Sequence, residues 1–441
     1  MGKLHQWYDP IDTTNPRLIK LAKELGTVWV RVSGTWATKT YYDFEGTGVA
    51  PEGYQNRLTR EQWHNLIKFV DAVGGKLLIS VANCQGLHSA DEPWNPSQAE
   101  KIFKLSEEFG HPIEAVEFTN EPNLITTTGI PDGYTAADFR RDQDLFHKWV
   151  RDNYPNCIIV GPCTTDPEVG KMGSEGSKGG SGLGDILPTC TTADLMDGCT
   201  EKIDIFSYHY YNGVSERLEL VMPTAHWKPE EAHTDEYLAM AGRVARNYAP
   251  LRDKYVPGSP MWVTESGDAG GGGDTWASTY LDVFRTLNEL GAFAYVTDGI
   301  IFHNTLASSD YGYLKHGTFE PRPNYFAVKL WNTLMGTEVY ECGNPGKEGA
   351  HVYCHSRRDG KPGVTYLVIN NSLTDATTVE LPKEAEVYTL AGKTGIRSRI
   401  MTLNGRDLVL GENDELPDLS GKHAPAGKLE LAPGTCTFIV L

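Results

Sequence analysis

Two glutamates come directly after segments that are typical of buried β-strands. The first segment, Ala115–Thr119, is apolar and β-tolerant, and Asn120, Glu121 and Pro122 follow it. Because proline cannot donate a backbone hydrogen bond to a ladder, the strand must stop near Glu121. A glutamate at a rigid strand end, beside an amide, has the placement that a general acid needs. Glu121 is therefore a candidate catalytic acid, although a solvent-facing glutamate at a strand end would have the same local pattern.

The second glutamate is Glu265, which closes the apolar run Met261–Thr264 and precedes a glycine run at 270–273. Two carboxyl groups at the ends of different strands of one barrel can face each other across a sugar ring. A separation of about 5–5.5 Å would predict a retaining mechanism, in which one carboxyl protonates the leaving oxygen and the other forms a glycosyl-enzyme ester. The glycines would allow backbone N–H groups to approach an anionic ligand closely.

A third strand end carries the sequence Tyr208-His209-Tyr210-Tyr211. Strand alternation places His209 and Tyr211 on one face, so one of them can hydrogen-bond the nucleophile and keep it ionised. The alternative interpretation is aromatic filling of a barrel. His88 and His303 are interpreted as packing or substrate-facing residues rather than metal ligands. We predict no metal site and no cofactor.

Strand and helix patterns alternate from the N-terminus to about residue 325, which predicts a parallel sheet and, at this number of units, a (β/α)8 barrel. About seven strands are convincing rather than eight. The missing first strand should precede the helix that begins near residue 18, where only Leu4–Tyr8 has a suitable pattern. The sequence therefore indicates a first strand that is truncated or poorly represented.

After Trp331 the pattern changes to short alternating strands separated by turns, which predicts an antiparallel β-sandwich. We expect two domains, a catalytic barrel at 1–328 and a sandwich at 329–441 that buttresses it. The Gly/Ser-rich stretch at 175–184 lacks the Gly-Lys-Ser/Thr ending of a phosphate-binding loop, so a surface loop is the preferred interpretation.

The composition is that of a globular chain whose formal net charge of -18 argues against nucleic acid as a partner. It also argues against a broad basic groove, but not against a locally basic subsite. No apolar run of about 18 residues is present, so no membrane span is expected. Cys190 with Cys199, or Cys342 with Cys354, could form a disulfide, and free thiols are an equal alternative. The N-terminal residues contain no apolar signal region, which fits a cytoplasmic protein or a secreted one whose leader has been removed.

The chain resembles glycoside hydrolase family 79, the family of heparanase and β-glucuronidases. The resemblance is carried by motifs that extend through most of the sequence: Ser33-Gly34-Thr35, Trp94-Asn95-Pro96-Ser97, Asn120-Glu121-Pro122, His209-Tyr210-Tyr211, Trp262–Glu265 with its glycine run, Tyr311-Gly312, Glu320–Tyr325, Leu334–Thr337, Leu403-Asn404-Gly405 and Glu415-Leu416-Pro417. Their order and spacing together are specific to this family.

The resemblance implies a retaining hydrolase that cleaves β-linked glucuronic acid in an oligo- or polysaccharide. It implies that Glu121 is the acid/base, that Glu265 is the nucleophile and that Tyr211 supports it. It implies further sugar-binding roles, with Asn120 on the 2-hydroxyl, the carboxylate on Gly271, Gly272 and Tyr311, and lesser contacts from Thr35 and His209. Two family features have no visible counterpart: the acidic sugar-binding residue at the end of the first strand, and the basic residues of a heparan sulfate cleft.

Two other functions fit part of the pattern. A retaining hydrolase of neutral sugars, such as a β-xylosidase or β-glucanase, would share the barrel and both glutamates but not a carboxylate pocket. A catalytically silent glycan-binding protein would bind a sugar without turnover. The retention of Glu121, Glu265 and Asn120 argues against the silent protein.

Overall fold

Seven parallel strands form the sheet that carries the predicted site, and they pair in the order Trp29–Val32, Lys76–Ser80, Ala115–Glu117, Ile158–Thr165, Ile205–Val214, Met261–Gly270 and Ile301–His303. The computed structural model describes residues 11–26, 29–124, 129–165, 189–297, 299–343 and 350–441. The candidate first strand at 4–8 and the Gly/Ser-rich stretch at 175–184 lie outside these residues.

The strands of this half are β1 (Trp29–Val32), β2 (Thr40–Asp43), β3 (Asn56–Thr59), β4 (Lys76–Ser80), β5 (Ala115–Glu117), β6 (Ile158–Thr165), β7 (Ile205–Val214), β8 (Met261–Gly270) and β9 (Ile301–His303). The helices are α1 (Pro16–Leu25), α2 (Thr35–Thr38), α3 (Arg60–Val73), α4 (Ser97–Glu108), α5 (Ala136–Asn153), α6 (Thr192–Met196), α7 (Asp235–Tyr255), α8 (Leu281–Val296) and α9 (Pro323–Leu334). Strands β2 and β3 pair only with each other, in parallel, as an excursion between α2 and α3.

Local sequence signals fix the ends of several helices. The side chain of Thr59 accepts a hydrogen bond from the backbone of Gln62, whose own side chain returns to the Thr59 backbone, and this capping box begins α3. Gly74 ends α3 with φ of 69°, a left-handed conformation that glycine adopts without strain. A second capping box, Thr135 with Asp138, begins α5. The amphipathic faces of these helices then cover the sheet.

The seven-stranded sheet curves into a nearly closed barrel. The rings of Trp29 on β1 and Trp262 on β8 meet with centroids 4.9 Å apart, and Trp29 also approaches Phe302 on β9 at 6.5 Å. The first and last strands of the described sheet are thus linked through the interior by aromatic packing. The predicted (β/α)8-type barrel is confirmed, with seven strands in the part of the chain that the structure describes.

The C-terminal part is antiparallel. Its strands are β10 (Met335–Tyr340), β11 (His351–Arg357), β12 (Val364–Asn370), β13 (Thr377–Leu381), β14 (Ala385–Gly392), β15 (Met401–Leu403), β16 (Arg406–Asp407), β17 (Lys422–Ala424), β18 (Gly427–Leu431) and β19 (Thr435–Val440). Eight of them form one sheet, and β13 pairs with β18 as a separate two-stranded sheet.

The large antiparallel sheet has two buried faces because strand side chains alternate. Leu367 and Phe438 point into the same core as the barrel helices, whereas Val368 and Ile439 point into a smaller core beneath the β13–β18 pair. The predicted antiparallel β-sandwich is therefore confirmed. Helix α9 runs across residue 328 and the antiparallel strands begin at Met335, so a domain division at 328/329 stays a prediction.

All eight cysteines are free thiols, so neither of the two candidate disulfides is formed. Among the described residues, no helix is both long enough and apolar enough to cross a membrane.

Candidate active site

Glu121 and Glu265 lie at the same end of the barrel, beyond β5 and within the long strand β8. Glu121 has φ of 46°, which non-glycine residues seldom adopt, and the following Pro122 disfavours the right-handed helical alternative. Glu265 pairs in register with His209 of β7. The end of β5 and the middle of β8 therefore present the two carboxyl groups to one cleft.

The two carboxyl groups are close together and reachable from solvent. One carboxylate oxygen from each glutamate and one ring nitrogen of His209 all lie within 4.8 Å of one another. The Glu121 and Glu265 side chains are 14% and 13% exposed, while the His209 side chain is fully buried. Retaining glycosidases have carboxyl groups about 5–5.5 Å apart, whereas inverting enzymes leave about 6.5–9.5 Å for a water molecule. The observed arrangement is that of the retaining class.

The guanidinium of Arg31, on β1, connects the groups around the cleft. Its Nε donates to Glu117 Oε2 at 3.0 Å, and Nη1 donates to Glu265 Oε2 at 3.0 Å. Its Nη2 donates to Asn120 Oδ1 at 2.9 Å and lies 3.2 Å from His209 Nε2. Because arginine can only donate, His209 Nε2 accepts, and the ring proton on Nδ1 is left to donate to Glu121 Oε1 at 2.9 Å.

The other oxygen of Glu265 is held from the opposite side. Tyr211 OH donates to Glu265 Oε1 in a short hydrogen bond. Asn304, just beyond β9, places its Nδ2 3.1 Å from the same oxygen, 2.9 Å from Tyr211 OH and 2.9 Å from Tyr311 OH. Hydrogen bonds to the charged form of a carboxylate favour that form. Both carboxylate oxygens of Glu265 thus accept hydrogen bonds: Oε2 from Arg31, and Oε1 from Tyr211 and Asn304.

The surroundings of Glu121 favour its protonated form. Burial raises the pKa of Glu121 to about 7; Arg31 opposes this shift and the Glu117 carboxylate adds to it. Burial also lowers the pKa of His209 to about 4, so its ring is neutral near neutral pH. Two neighbouring carboxyl groups in contrasting environments can take up opposite acid and base roles.

The glycine run after β8 lies against the segment after β9. Gly271 and Gly272 have φ of 88° and 102°, and Gly272 O accepts from Asp310 N at 3.0 Å. A Cβ at Gly273 would lie 2.7 Å from the Tyr311 ring, so only glycine permits this approach. The Tyr211 and Tyr311 rings stack with centroids 6.4 Å apart. The glycine run and Tyr311 thus form one wall beside Glu265.

Comparison with known proteins agrees with this geometry. The chain is 25% identical to a hyaluronoglucuronidase from Hirudo nipponia over 98% of this chain and 90% of that protein. It is 23% identical to heparanase-like protein 1 from Arabidopsis thaliana over 98% of this chain and 85% of that one. The chain is thus similar, over nearly its full length, to heparanase-like and glucuronidase proteins. It is therefore a glycoside hydrolase.

A solved structure has the same fold over the whole chain. The 4-O-α-L-rhamnosyl-β-D-glucuronidase from Fusarium oxysporum 12S aligns with a TM-score of 0.64 and 16% identity, covering 99% of this chain and 93% of that one. No protein-family model matches the chain. The similarity to heparanase-like and glucuronidase proteins thus rests on relatives that align over nearly the full length, and a solved structure has the same fold.

The structure brings together most of the residues that the sequence singled out. Glu121, Glu265, Asn120, His209 and Tyr211 lie within one hydrogen-bonded cluster. Their catalytic and sugar-binding roles remain predictions.

The other predicted sugar-binding residues lie around this cluster. Gly271, Gly272 and Tyr311 form its wall. Thr35 begins α2, three residues beyond β1. It lies at the same end of the barrel, because Thr38 in the same short helix contacts Thr119 beyond β5 at 3.2 Å between hydroxyl oxygens. The part that each of these residues plays remains a prediction.

Three residues of the cluster were not predicted as site residues: Arg31, Glu117 and Asn304. Arg31 and Glu117 are charged residues inside apolar strands, and such residues are almost never buried unless paired. Asn304 directly follows β9, so the strand-end rule that identified the two glutamates applies to it as well. These signals were present in the sequence, but their partners lie on distant strands.

The carboxylate and imidazole atoms of Glu121, His209 and Glu265 are close enough to ligate a metal ion. The guanidinium of Arg31 contacts the same group at about hydrogen-bond distance, and its positive charge would repel a cation. We therefore assign no metal to this cluster, and the absence of a metal site stays a prediction.

Proposed function

We propose that this protein is a retaining β-glucuronidase in which Glu121 is the acid/base and Glu265 is the nucleophile. The observation that carries the proposal is that a carboxyl group of raised pKa lies within 4.8 Å of a second carboxyl group, which is held by Arg31, Tyr211 and Asn304. The relative from Hirudo nipponia is named a hyaluronoglucuronidase, which supports a glucuronide as the substrate. We propose a glucuronic-acid-containing oligo- or polysaccharide as the substrate, rather than nucleic acid.

The first step forms a covalent ester. A Glu265 oxygen attacks the anomeric carbon, the glycosidic C–O bond breaks, and the proton of Glu121 goes to the leaving oxygen. In the second step Glu121, now a carboxylate, removes a proton from water. The resulting hydroxide oxygen displaces Glu265 from the anomeric carbon, which regenerates both groups and retains the β-configuration.

The surrounding residues would orient the sugar. Arg31 holds Asn120 Oδ1, so the Nδ2 end of that amide is the donor that remains for the sugar 2-hydroxyl. Hydrogen bonds to this hydroxyl strengthen in the oxocarbenium-like transition state. His209 and Thr35 would make lesser sugar contacts.

The glucuronate carboxylate would bind at the wall formed by Gly271, Gly272 and Tyr311. Backbone amides of a glycine-rich turn can form a concave anion site. Positive charge is also present here, because Arg217 Nη1 donates to Gly273 O at 2.6 Å and its other nitrogen pairs with Asp310. This local arginine fits a small anionic subsite in a chain whose net charge is strongly negative.

The proposal is tested by offering aryl β-glucuronide, β-glucoside and β-xyloside side by side. We expect the glucuronide alone to be cleaved, because only its C6 carboxylate can use the Gly271–Tyr311 wall. Preferential cleavage of a neutral glycoside would be consistent with the roles of the two glutamates but would contradict the carboxylate pocket. Tight binding of a glucuronide without turnover would indicate a glycan-binding protein.

The rate should also depend on pH in a definite direction. Glu121 must be protonated for the first step, and its raised pKa is about 7, so kcat/KM is expected to decline as pH rises through about 7. A mechanism that needs one carboxyl group protonated and the other ionised gives a bell-shaped profile, and we expect its optimum on the acidic side. A flat kcat/KM profile between about pH 4 and 8 would contradict the paired-carboxylate mechanism.

A further inference from the structure

Glu117, the last residue of β5, is a fully buried carboxylate behind the catalytic pair, and neither proposed chemical step uses it. It is four residues before Glu121 and contacts the cluster through Arg31. A buried charge is costly unless it is paired, so its presence calls for an explanation. We propose that Glu117 is a positioning residue that aims Arg31 at Glu265 and Asn120 and balances the charge of Arg31 through the reaction. This inference rests on the function proposed above.

The first argument is geometric. Arg31 Nε donates to Glu117 Oε2 at 3.0 Å, and Nη2 lies 2.9 Å from that same oxygen. Two contacts from one edge of a planar guanidinium to a single carboxylate oxygen hold that edge in place. With that edge held, Nη1 reaches Glu265 Oε2 at 3.0 Å and Nη2 reaches Asn120 Oδ1 at 2.9 Å. Glu117 therefore sets where two groups of the site receive their hydrogen bonds.

The second argument concerns charge during the reaction. Arg31 is nearly buried, with an 8% exposed side chain, and it has two carboxylate partners, Glu117 and Glu265. When Glu265 bonds to the anomeric carbon it becomes a neutral ester, and the sugar passes through a positively charged transition state. Without Glu117, Arg31 would then be an unpaired buried cation beside a developing positive charge. With Glu117 present, the guanidinium stays paired while the nucleophile loses its charge.

The groups around Glu117 leave Arg31 as its ionic partner. Burial raises the pKa of the Cys163 thiol on β6, and the Glu117 carboxylate raises it further, so that neighbour is neutral. Among the described residues, the other titratable groups of the cluster are Glu121 beyond β5, His209 and Tyr211 on β7, and Glu265 on β8. Because the Glu117 charge also contributes to the raised pKa of Glu121, its removal should be visible in the pH dependence.

The test compares Glu117→Gln with Glu117→Asp on the full-length protein, using an aryl β-glucuronide. Glu117→Gln keeps the shape and removes the charge, whereas Glu117→Asp keeps the charge and moves it back. A matched control is Glu289→Gln on α8, which also neutralises a buried glutamate paired with a buried arginine, Arg285. The kcat/KM, its pH profile and the melting temperature are measured for the wild-type protein and for these three variants.

We expect Glu117→Gln to lower kcat/KM by about 10²-fold, the usual effect of misplacing catalytic groups by about 1 Å. The decline of its kcat/KM at high pH, called the basic limb below, should move to lower pH, because the pKa of Glu121 is lower without the Glu117 charge. Glu117→Asp should recover part of the rate and keep the limb at the wild-type position. The control should lose thermal stability while its kcat/KM and basic limb stay at wild-type values.

Either of two results would overturn the role of Glu117. One is wild-type kcat/KM and limb in Glu117→Gln. The other is a loss of activity with an unmoved limb that Glu289→Gln reproduces, since that is the outcome of a general loss of packing. Should the Gln variant not fold, a Glu117→Asp variant with wild-type kcat/KM would contradict the proposal. A wild-type protein that cleaves none of the aryl glycosides would instead overturn the proposed function, and this inference with it.

Discussion

Glu265→Ala is expected to abolish hydrolysis of every glycoside substrate, because the proposed ester forms on the Glu265 carboxylate itself. The loss should be on the order of 10⁵-fold or more in kcat, comparable to the removal of a nucleophile in other enzymes. The truncation also leaves a space beside Tyr211 OH and Asn304 Nδ2, the donors that now hold the missing carboxylate. A small anion such as azide should enter that space and attack the same face of the sugar.

The measurement is product analysis of Glu265→Ala with an activated aryl β-glucuronide and azide. An α-glycosyl azide, with inverted configuration, is the expected product, and it identifies Glu265 as the nucleophile. Glu338→Ala, which truncates an exposed glutamate on β10, is the matched control and should keep wild-type kinetics. A β-glycosyl azide, or residual hydrolysis near the wild-type rate, would contradict the assignment of Glu265.

Glu121→Ala is expected to separate substrates by their leaving groups. Substrates with poor leaving groups need a proton on the departing oxygen, so their kcat/KM should decrease by about 10²–10⁴-fold. Aryl glucuronides with acidic phenols need little protonation and should keep most of their kcat/KM. The decline of kcat/KM above about pH 7 should also disappear, because the group responsible for it, Glu121, is gone.

This prediction is tested with two substrates that differ in their leaving groups. An activated and an unactivated aryl β-glucuronide are compared with wild-type protein and with Glu121→Ala, across the pH range. Equal loss for both substrates would remove Glu121 from the acid role. Persistence of the decline of kcat/KM above about pH 7 in the variant would assign that decline to a group other than Glu121.

The sequence predicted the barrel and the meeting of Glu121 and Glu265 at one cleft because both depend on local patterns. An apolar strand that stops at a polar residue can be recognised from a few consecutive residues. The carboxyl ends of parallel strands lie at the same end of a barrel. Glu121 and Glu265 satisfied both conditions. His209 and Tyr211 followed from strand alternation alone, and the structure places Tyr211, rather than His209, on the nucleophile.

The parts that were not predicted depend on contacts between distant segments. Arg31 meets Glu117 and Glu265, which are 86 and 234 residues away in the chain, and no local pattern specifies that meeting. The parallel β2–β3 pair and the β13–β18 sheet likewise join segments whose pairing the sequence pattern leaves open. Register between strands is set by the packing of whole faces, which single segments do not encode.

The shared core of the two halves has a consequence for how the molecule comes apart. Tyr280, at the start of α8, donates through its hydroxyl to Leu390 O at 2.7 Å and accepts there from Cys436 N at 3.2 Å. Its ring lies in the same apolar core as Leu367 and Phe438 of the antiparallel sheet. Unfolding of that sheet would strip α8 of its cover, and α8 lies between the sheet and the strand that carries Glu265. We therefore expect the barrel and the sheet to unfold as one cooperative unit, so that heat or denaturant that loosens the sheet also separates Glu121 from Glu265.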